Sequence, residues 1–185
     1  MATRLTLLCH ARLAGWRDMA FPADEPVDPA ALAGVGLDLG IFDRLWTAPE
    51  QRARQTAAAL GREAVLVPEL RDADYGTWRG RTLEEIVQTD PAGAHAWLSD
   101  PSVAPHGGES LMQLIERIGS WLDGFDAAGH TVAATHPAVI RAALVHGLGA
   151  PPAAFWRIDV EPLATADLRR HAGRWTLRAL GPCRG

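Results

Sequence analysis

Two histidines and an arginine stand where an α/β protein would place its chemistry. His10 follows directly on the short apolar run Leu5–Cys9, and His136 ends a second run that begins at His130. Arg52 falls within the first turn of a helix that follows the strand-like segment Arg44–Thr47. An acid-rich loop, Glu69–Gly80, follows a third apolar stretch and carries Glu69, Asp72 and Asp74. In open α/β sheets ligands bind beyond the carboxyl ends of the strands, where loops and helix N-termini converge. Together these residue types suit a phosphate site. A neutral imidazole is a nucleophile near neutral pH that can hold a phosphoryl group covalently. A second imidazole can stabilise charge on the equatorial oxygens, arginine grips phosphate bidentately, and a carboxylic acid can protonate a departing alkoxide.

The elements that must position these groups alternate between strand and helix. Leu5–Cys9, Arg44–Thr47, Ala64–Val67 and His130–His136 read as strands. Helices are expected over Pro49–Leu60, from Thr82, from Asp90-Pro91, from Ser110 and over Pro137–His146, with Gly61 and Gly147 as stops. Thr47-x-x-Glu50, Thr82-x-x-Glu85 and Ser110-x-x-Gln113 have capping-box spacing. After Ser110, Leu111, Leu114, Ile115, Ile118, Trp121 and Leu122 share one helical face. A weak helix is expected over Pro29–Gly34, and the stretch Phe155–Leu180 reads as a strand and a hairpin. The segments Ala11–Pro29 and Asp100–Glu109 read as loops. This order gives an α/β domain with a mainly parallel sheet, occupying residues 1–185 without an internal repeat or linker.

Composition narrows the function. The chain has 185 residues, 48% hydrophobic and 22% charged, enough for one buried core. A net charge of −4 argues against sequence-independent nucleic-acid binding, which needs a basic excess. All 18 basic residues are arginine, so an anion site must use guanidinium forks, histidine and backbone N–H groups. Two cysteines, Cys9 and Cys183, offer no disulfide framework, and no HxH or HExxH pattern suggests a metal. With no apolar stretch of about 18 residues and no signal-peptide core, a cytoplasmic protein that avoids membranes is expected.

Read in order, these segments resemble the histidine phosphatase superfamily, also called phosphoglycerate-mutase-like. The family's opening Arg-His-Gly motif falls on Cys9-His10-Ala11 and its second arginine motif on Arg52-Ala53-Arg54-Gln55-Thr56-Ala57. The acid-bearing stretch looks like Glu69 to Gly80, Gly107-Gly108-Glu109-Ser110 matches a further segment, and the last motif matches Thr135-His136 with Val139-Ile140-Arg141-Ala142. The tryptophan-containing acid segment is more similar to the alpha-ribazole and broad-specificity phosphatase branches than to the glycolytic mutases. The resemblance implies a three-layer α/β/α sandwich that works without metal or organic cofactor on a small phosphorylated substrate. It also implies that His10 is the phosphorylated nucleophile, that Arg52 and His136 bind the phosphoryl group, and that Asp72 stands at the proton donor's position. Asp74 and Glu69 remain alternatives for the acid.

Four positions depart from the family pattern: Cys9 for arginine, Ala11 for glycine, Ala48 for a common serine, and Asp72 for glutamate. Loss of one transition-state donor costs about 3 kcal/mol, or roughly 100-fold in rate, and an acid shortened by one methylene costs a similar factor. Arg17, or else Arg12, is expected to supply the missing guanidinium from the loop, and Glu109 to line the mouth. His106 is expected to face solvent, His95, His130, His146 and His171 to be surface or capping residues, Ser110 a helix cap and the tryptophans mostly core. Cys9 has two readings, a reactive thiol beside His10 or a small buried residue. The expected activity is hydrolysis of a phosphate monoester through a phosphohistidine. The alternative is an impaired relative that binds a phosphorylated metabolite or partner. A mutase is a more distant third, and a homodimer is open.

Overall fold

The computed structural model describes residues 3–15, 20–33 and 36–182. Arg17, Trp16 and Cys183 therefore lie outside the described residues. Six strands form one sheet in the order β3-β2-β4-β1-β5-β6. They are β1 (Thr3–Cys9), β2 (Arg44–Thr47), β3 (Val65–Leu66), β4 (Gly129–Thr135), β5 (Ala164–His171) and β6 (Arg174–Pro182). The first four run parallel, while β5 and β6 are antiparallel to their neighbours. The parallel half therefore aims four strand ends, and the residues after them, at one rim.

Side chains alternate across the sheet as a two-residue period requires. Leu5, Leu7 and Cys9 pack with α4 (Leu111–Asp123) and α5 (Pro137–Gly147), whereas Leu8, Leu45, Val132 and Ala134 face Ala57 of α1 (Gln51–Ala58). The expected α/β/α sandwich is thus observed. Two further helices, α2 (Leu83–Thr89) and α3 (Pro91–Ser99), close a separate aromatic cluster with Phe21 and Trp78. No helix among the described residues is long and apolar enough to cross a membrane.

Local signals were answered unevenly. Thr82 and Ser110 make complete capping boxes with Glu85 and Gln113, and Asp90 caps Gly93 N–H before Pro91. The face of α4 is buried at Leu111, Leu114, Ile115, Ile118 and Leu122, with Trp121 at its edge. Thr47 and Glu50 form no capping box. Thr47 Oγ1 donates to the Ala48 carbonyl, and Glu50 is itself the N-cap, its carboxylate engaged elsewhere. The expected strand Ala64–Val67 shrinks to two residues because both its side chains are exposed at the sheet edge. The expected helix at Pro29 is a 3-10 turn over Pro29–Ala31. Gly147 lies inside α5, and the positive φ of 63° falls at Gly149. The β5–β6 hairpin turns at Ala172 and Gly173, both with positive φ, as a tight hairpin turn demands.

His130 is a correction. It is buried, with one ring nitrogen 2.9 Å from Thr6 Oγ1 and the other 2.9 Å from the Ile41 carbonyl. It joins β4 to β1 and to the segment before β2, so its polar atoms are satisfied internally rather than by water.

Candidate active site

His10 leaves the end of β1 with its backbone N–H still bonded to the Thr135 carbonyl of β4. Its Nδ1 lies 2.8 Å from the Ala11 carbonyl. A carbonyl only accepts, so Nδ1 carries the proton and Nε2 keeps the lone pair. Ala11 N–H in turn donates to Thr56 Oγ1 (3.0 Å), and that hydroxyl donates to the Arg52 carbonyl (2.8 Å). The tautomer of His10 is thereby tied to the first turns of α1. Ala11 has no positive φ, so the departure from glycine carries no backbone strain.

His136 is the N-cap of α5, and its ring centroid lies 5.4 Å from that of His10. It is completely buried. Arg52 Nε donates to its Nδ1 at 3.1 Å, so the ring proton sits on Nε2 and is donated to Glu50 Oε2 at 2.8 Å. Arg52 is 2% exposed; its Nη2 donates to Asp72 Oδ2 at 2.6 Å, while Nη1 is buried with no hydrogen-bond partner among the described residues. That orphan donor lies 3.7 Å from Asp24 Oδ1. Asp72 also accepts from Ala73 N–H (2.9 Å), and its own N–H donates to Glu50 Oε1 (3.1 Å). His10, Arg52, Asp72 and His136 therefore meet at the rim that the parallel strands define.

The electrostatics follow from this packing. Burial, then the neighbouring His136, pushes the His10 imidazole down to about 4, so it is neutral at physiological pH. Burial alone would raise the Asp72 carboxyl, but His136 and the Arg52 guanidinium outweigh it and hold it below its ordinary value. Glu50 is likewise held low, the hydrogen bond from His136 prevailing over burial. Burial pushes the Cys9 thiol well above its ordinary value. Cys9 has no exposed surface, which leaves the small buried residue and removes the reactive thiol.

Two cavities flank Asp72. One, of about 260 Å³, is lined by Cys9, His10, Asp72, Tyr75, Glu109 and Arg141 among mostly apolar residues. The other, of about 360 Å³, contains Arg52, Glu50, Asp24, Arg71 and Arg79. Asp72 lines both, the cavity of His10 and the one that contains Arg52.

Arg12 is a correction. It is exposed and paired with Asp28 at 3.1 Å, away from the cavity that Cys9 lines. Among the described residues Arg141 is the one guanidinium lining that cavity; its Nε donates to the Ile158 carbonyl at 2.8 Å. Arg141 belongs to the final motif segment, yet no spacing rule aimed it at Cys9, because the approach comes from the second turn of α5. Glu109 does line the cavity, but Arg117 binds it bidentately at 2.7 Å through each contact.

Arg117 was not legible as a site residue. From α4 it also donates to the carbonyls of Glu69, Arg71 and Asp72, gripping the acid loop from behind. Gly76 and Gly108 seal the same junction: a Cβ at Gly108 would lie 2.0 Å from the Asp74 carbonyl oxygen, and one at Gly76 2.0 Å from that of His106. His106 is a further correction, being 1% exposed under Tyr75 and Trp78, with Nδ1 accepting from Gly108 N–H at 3.0 Å. Ser110 is the helix cap expected. Among the described residues no group of three or more His, Cys, Asp or Glu side chains is placed to hold a metal.

Comparison with known proteins places this geometry. The chain is 29% identical over 183 residues to the "Bifunctional protein Rv2228c" of Mycobacterium tuberculosis, a match covering 89% of this chain and 50% of that protein. It therefore spans about half the length of the first curated relatives it matches. It is also 29% identical to a glucosyl-3-phosphoglycerate phosphatase of Mycolicibacterium vanbaalenii, across 70% of this chain and 71% of that one. Among solved structures, phosphoserine phosphatase from Entamoeba histolytica superposes with a TM-score of 0.86 at 19% identity, covering 97% and 96% of the two chains. The alpha-ribazole phosphatase from Shigella flexneri superposes at 0.80 with 20% identity, covering 96% of each. Both show the shared fold. The family model for the histidine phosphatase superfamily (branch 1) matches residues 12–181, nearly the whole chain, and the chain belongs to that superfamily.

Proposed function

We propose that this chain is one histidine-phosphatase domain that hydrolyses a small phosphate monoester through a phosphohistidine on His10. The observation that carries this reading is the His10 tautomer: Nδ1–H is committed to the Ala11 carbonyl, so a neutral Nε2 lone pair remains, on a ring 5.4 Å from that of His136, to which Arg52 is bonded. The names of relatives, a glucosyl-3-phosphoglycerate phosphatase and a phosphoserine phosphatase among them, agree with a phosphomonoesterase.

In the proposed reaction Nε2 of His10 attacks phosphorus in line with the ester oxygen. The N–P bond forms as the P–O bond breaks. Arg52, through the unpartnered Nη1 and the Nη2 now bonded to Asp72, takes the equatorial oxygens, with Arg141 as the second cation in place of the arginine that Cys9 replaces. Asp72 protonates the departing oxygen. It is ionised while paired to Arg52, so the substrate must both displace it and supply the proton, which a monoester carries below its second pKa of about 6. In the second half, Asp72 as carboxylate takes a proton from water as the oxygen attacks phosphorus, and the N–P electrons return to Nε2. His136 is hydrogen-bonded through both ring nitrogens, which suits it to hold Arg52 and Glu50 in place.

The test is turnover of an aryl phosphate by wild type and His10→Ala. Loss of at least about 10³-fold in the variant, with its fold intact, supports the reading. Equal turnover by both proteins, or phosphate binding by wild type without any turnover, refutes it; the second result makes the chain a phosphate-binding relative.

A further inference from the structure

His10 lines the apolar cavity and not the one containing Arg52, Arg71 and Arg79. Attack by His10 would therefore send the leaving group into the apolar one, whose walls are unusual for a site that handles charged metabolites. Its lining is mostly apolar and includes Phe21, Tyr75, Trp97, Leu98, Phe155 and Trp156. The rings meet edge to face, Phe21 on Trp97 at 5.4 Å, Trp97 on Trp156 at 4.8 Å and Phe155 on Trp156 at 5.0 Å, so the wall is a continuous aromatic sheet. The polar groups that reach the cavity are largely spent. Glu109 is neutralised by the fork of Arg117, Ser110 caps α4, and His10 and Asp72 belong to the reacting centre. Arg141 is the single cation there among the described residues, and on the reading above it serves the phosphoryl group. A leaving group bearing a carboxylate or several hydroxyls would lose more water than the few remaining polar groups, the Tyr75 hydroxyl among them, could replace.

We infer that the substrate is the phosphate monoester of an aromatic or bulky apolar alcohol with no second charge. This rests on the phosphomonoesterase reading of His10. The cavity volume of about 260 Å³ equals roughly nine water volumes, room for a one- or two-ring group. Leu98 and Trp156, 50% and 42% exposed, leave apolar surface at the mouth for the ligand to cover.

The test compares kcat/KM for 3-phenylpropyl phosphate and glycerol 3-phosphate, two primary alkyl esters whose leaving groups differ little in basicity. Burial of a phenyl ring is expected to favour the first by about 50- to 100-fold. Leu98→Asp and Trp156→Ser, both at exposed positions, are each expected to reduce that ratio at least about fivefold. Equal or better turnover of glycerol 3-phosphate, with phosphate trapped on His10, overturns the inference and leaves the phosphatase reading standing. A ratio unchanged in both variants also overturns it. Absence of turnover and of phosphohistidine with either ester overturns both.

Discussion

Asp72→Asn is expected to bind phosphate more tightly while turning over more slowly. The Asp72 carboxylate holds Arg52 Nη2 at 2.6 Å and lines both the cavity of His10 and the one that contains Arg52. A phosphoryl group must evict it. A hydrogen bond between charged partners contributes about 1.5–3 kcal/mol net, and the evicted carboxylate then stands beside a dianion unless it takes up a proton. Asparagine keeps the shape; with its oxygen accepting from Ala73 N–H, its NH2 faces Arg52 and offers that guanidinium no acceptor, and it carries no charge to repel the dianion. A gain of at least about 1.4 kcal/mol, tenfold in Kd, follows for inorganic phosphate. Calorimetric titration near pH 8 in buffers of different ionisation enthalpy reads both parts: wild type takes up close to one proton on binding, the variant none. Turnover falls by about 10²- to 10⁴-fold, as for loss of a general acid. Unfolding is expected about 3 kcal/mol easier, because Arg52 loses its buried partner, so binding is measured well below the transition. Weaker or unchanged phosphate affinity in Asp72→Asn, or no proton uptake by wild type, would refute the displacement.

Three further outcomes follow from the same geometry. The His10 imidazole, depressed by burial and by His136, is expected to titrate near 4 in an NMR titration. Its folded pKa lies below the unfolded value, so the stability tied to its neutral form is present above about 6.5 and is lost as pH falls towards 4; a midpoint near 6.5 would contradict the burial. Arg117→Ala leaves Glu109 only the longer Arg71 contact at 3.6 Å and frees three carbonyls of the acid loop, with an expected loss of about 3 kcal/mol in denaturant unfolding. Arg117→Lys, lacking the fork, should recover less than half of it. Arg141→Met is expected to weaken inorganic phosphate binding about 10- to 100-fold; an unchanged Kd would return the vacancy beside Cys9 to Arg17.

The legible part of the fold was its local chemistry. Thr82 and Ser110 reach partners three residues away, so their spacing alone sufficed. His10, Arg52 and His136 were legible because a strand end fixes where the next residue must project. The same local logic misread Thr47 and Glu50. Their spacing suits a capping box, yet the Glu50 carboxylate finds a better partner in His136, 86 residues away. His130 was misread for the same reason, since its ring is satisfied by distant atoms, Thr6 Oγ1 and the Ile41 carbonyl, which have no sequence signature. The His106 ring takes Gly108 N–H two residues on and is buried by ring contacts with Tyr75 and Trp78, which its own local sequence does not reveal. Arg12 is not a substitute, because its guanidinium pairs with Asp28 at the surface and does not line the cavity of Cys9. Arg117 lies beyond pattern altogether, as its role arises only where α4 passes behind the loop carrying Asp72.

The most direct measurement is to quench wild-type protein during turnover of a phosphate monoester and map the bound phosphate by mass spectrometry of its peptides. Acid-labile, base-stable phosphate on His10 is the expected result, absent from His10→Ala. Phosphate on another residue, or steady turnover with no phosphoenzyme at any quench time, would contradict a nucleophilic His10.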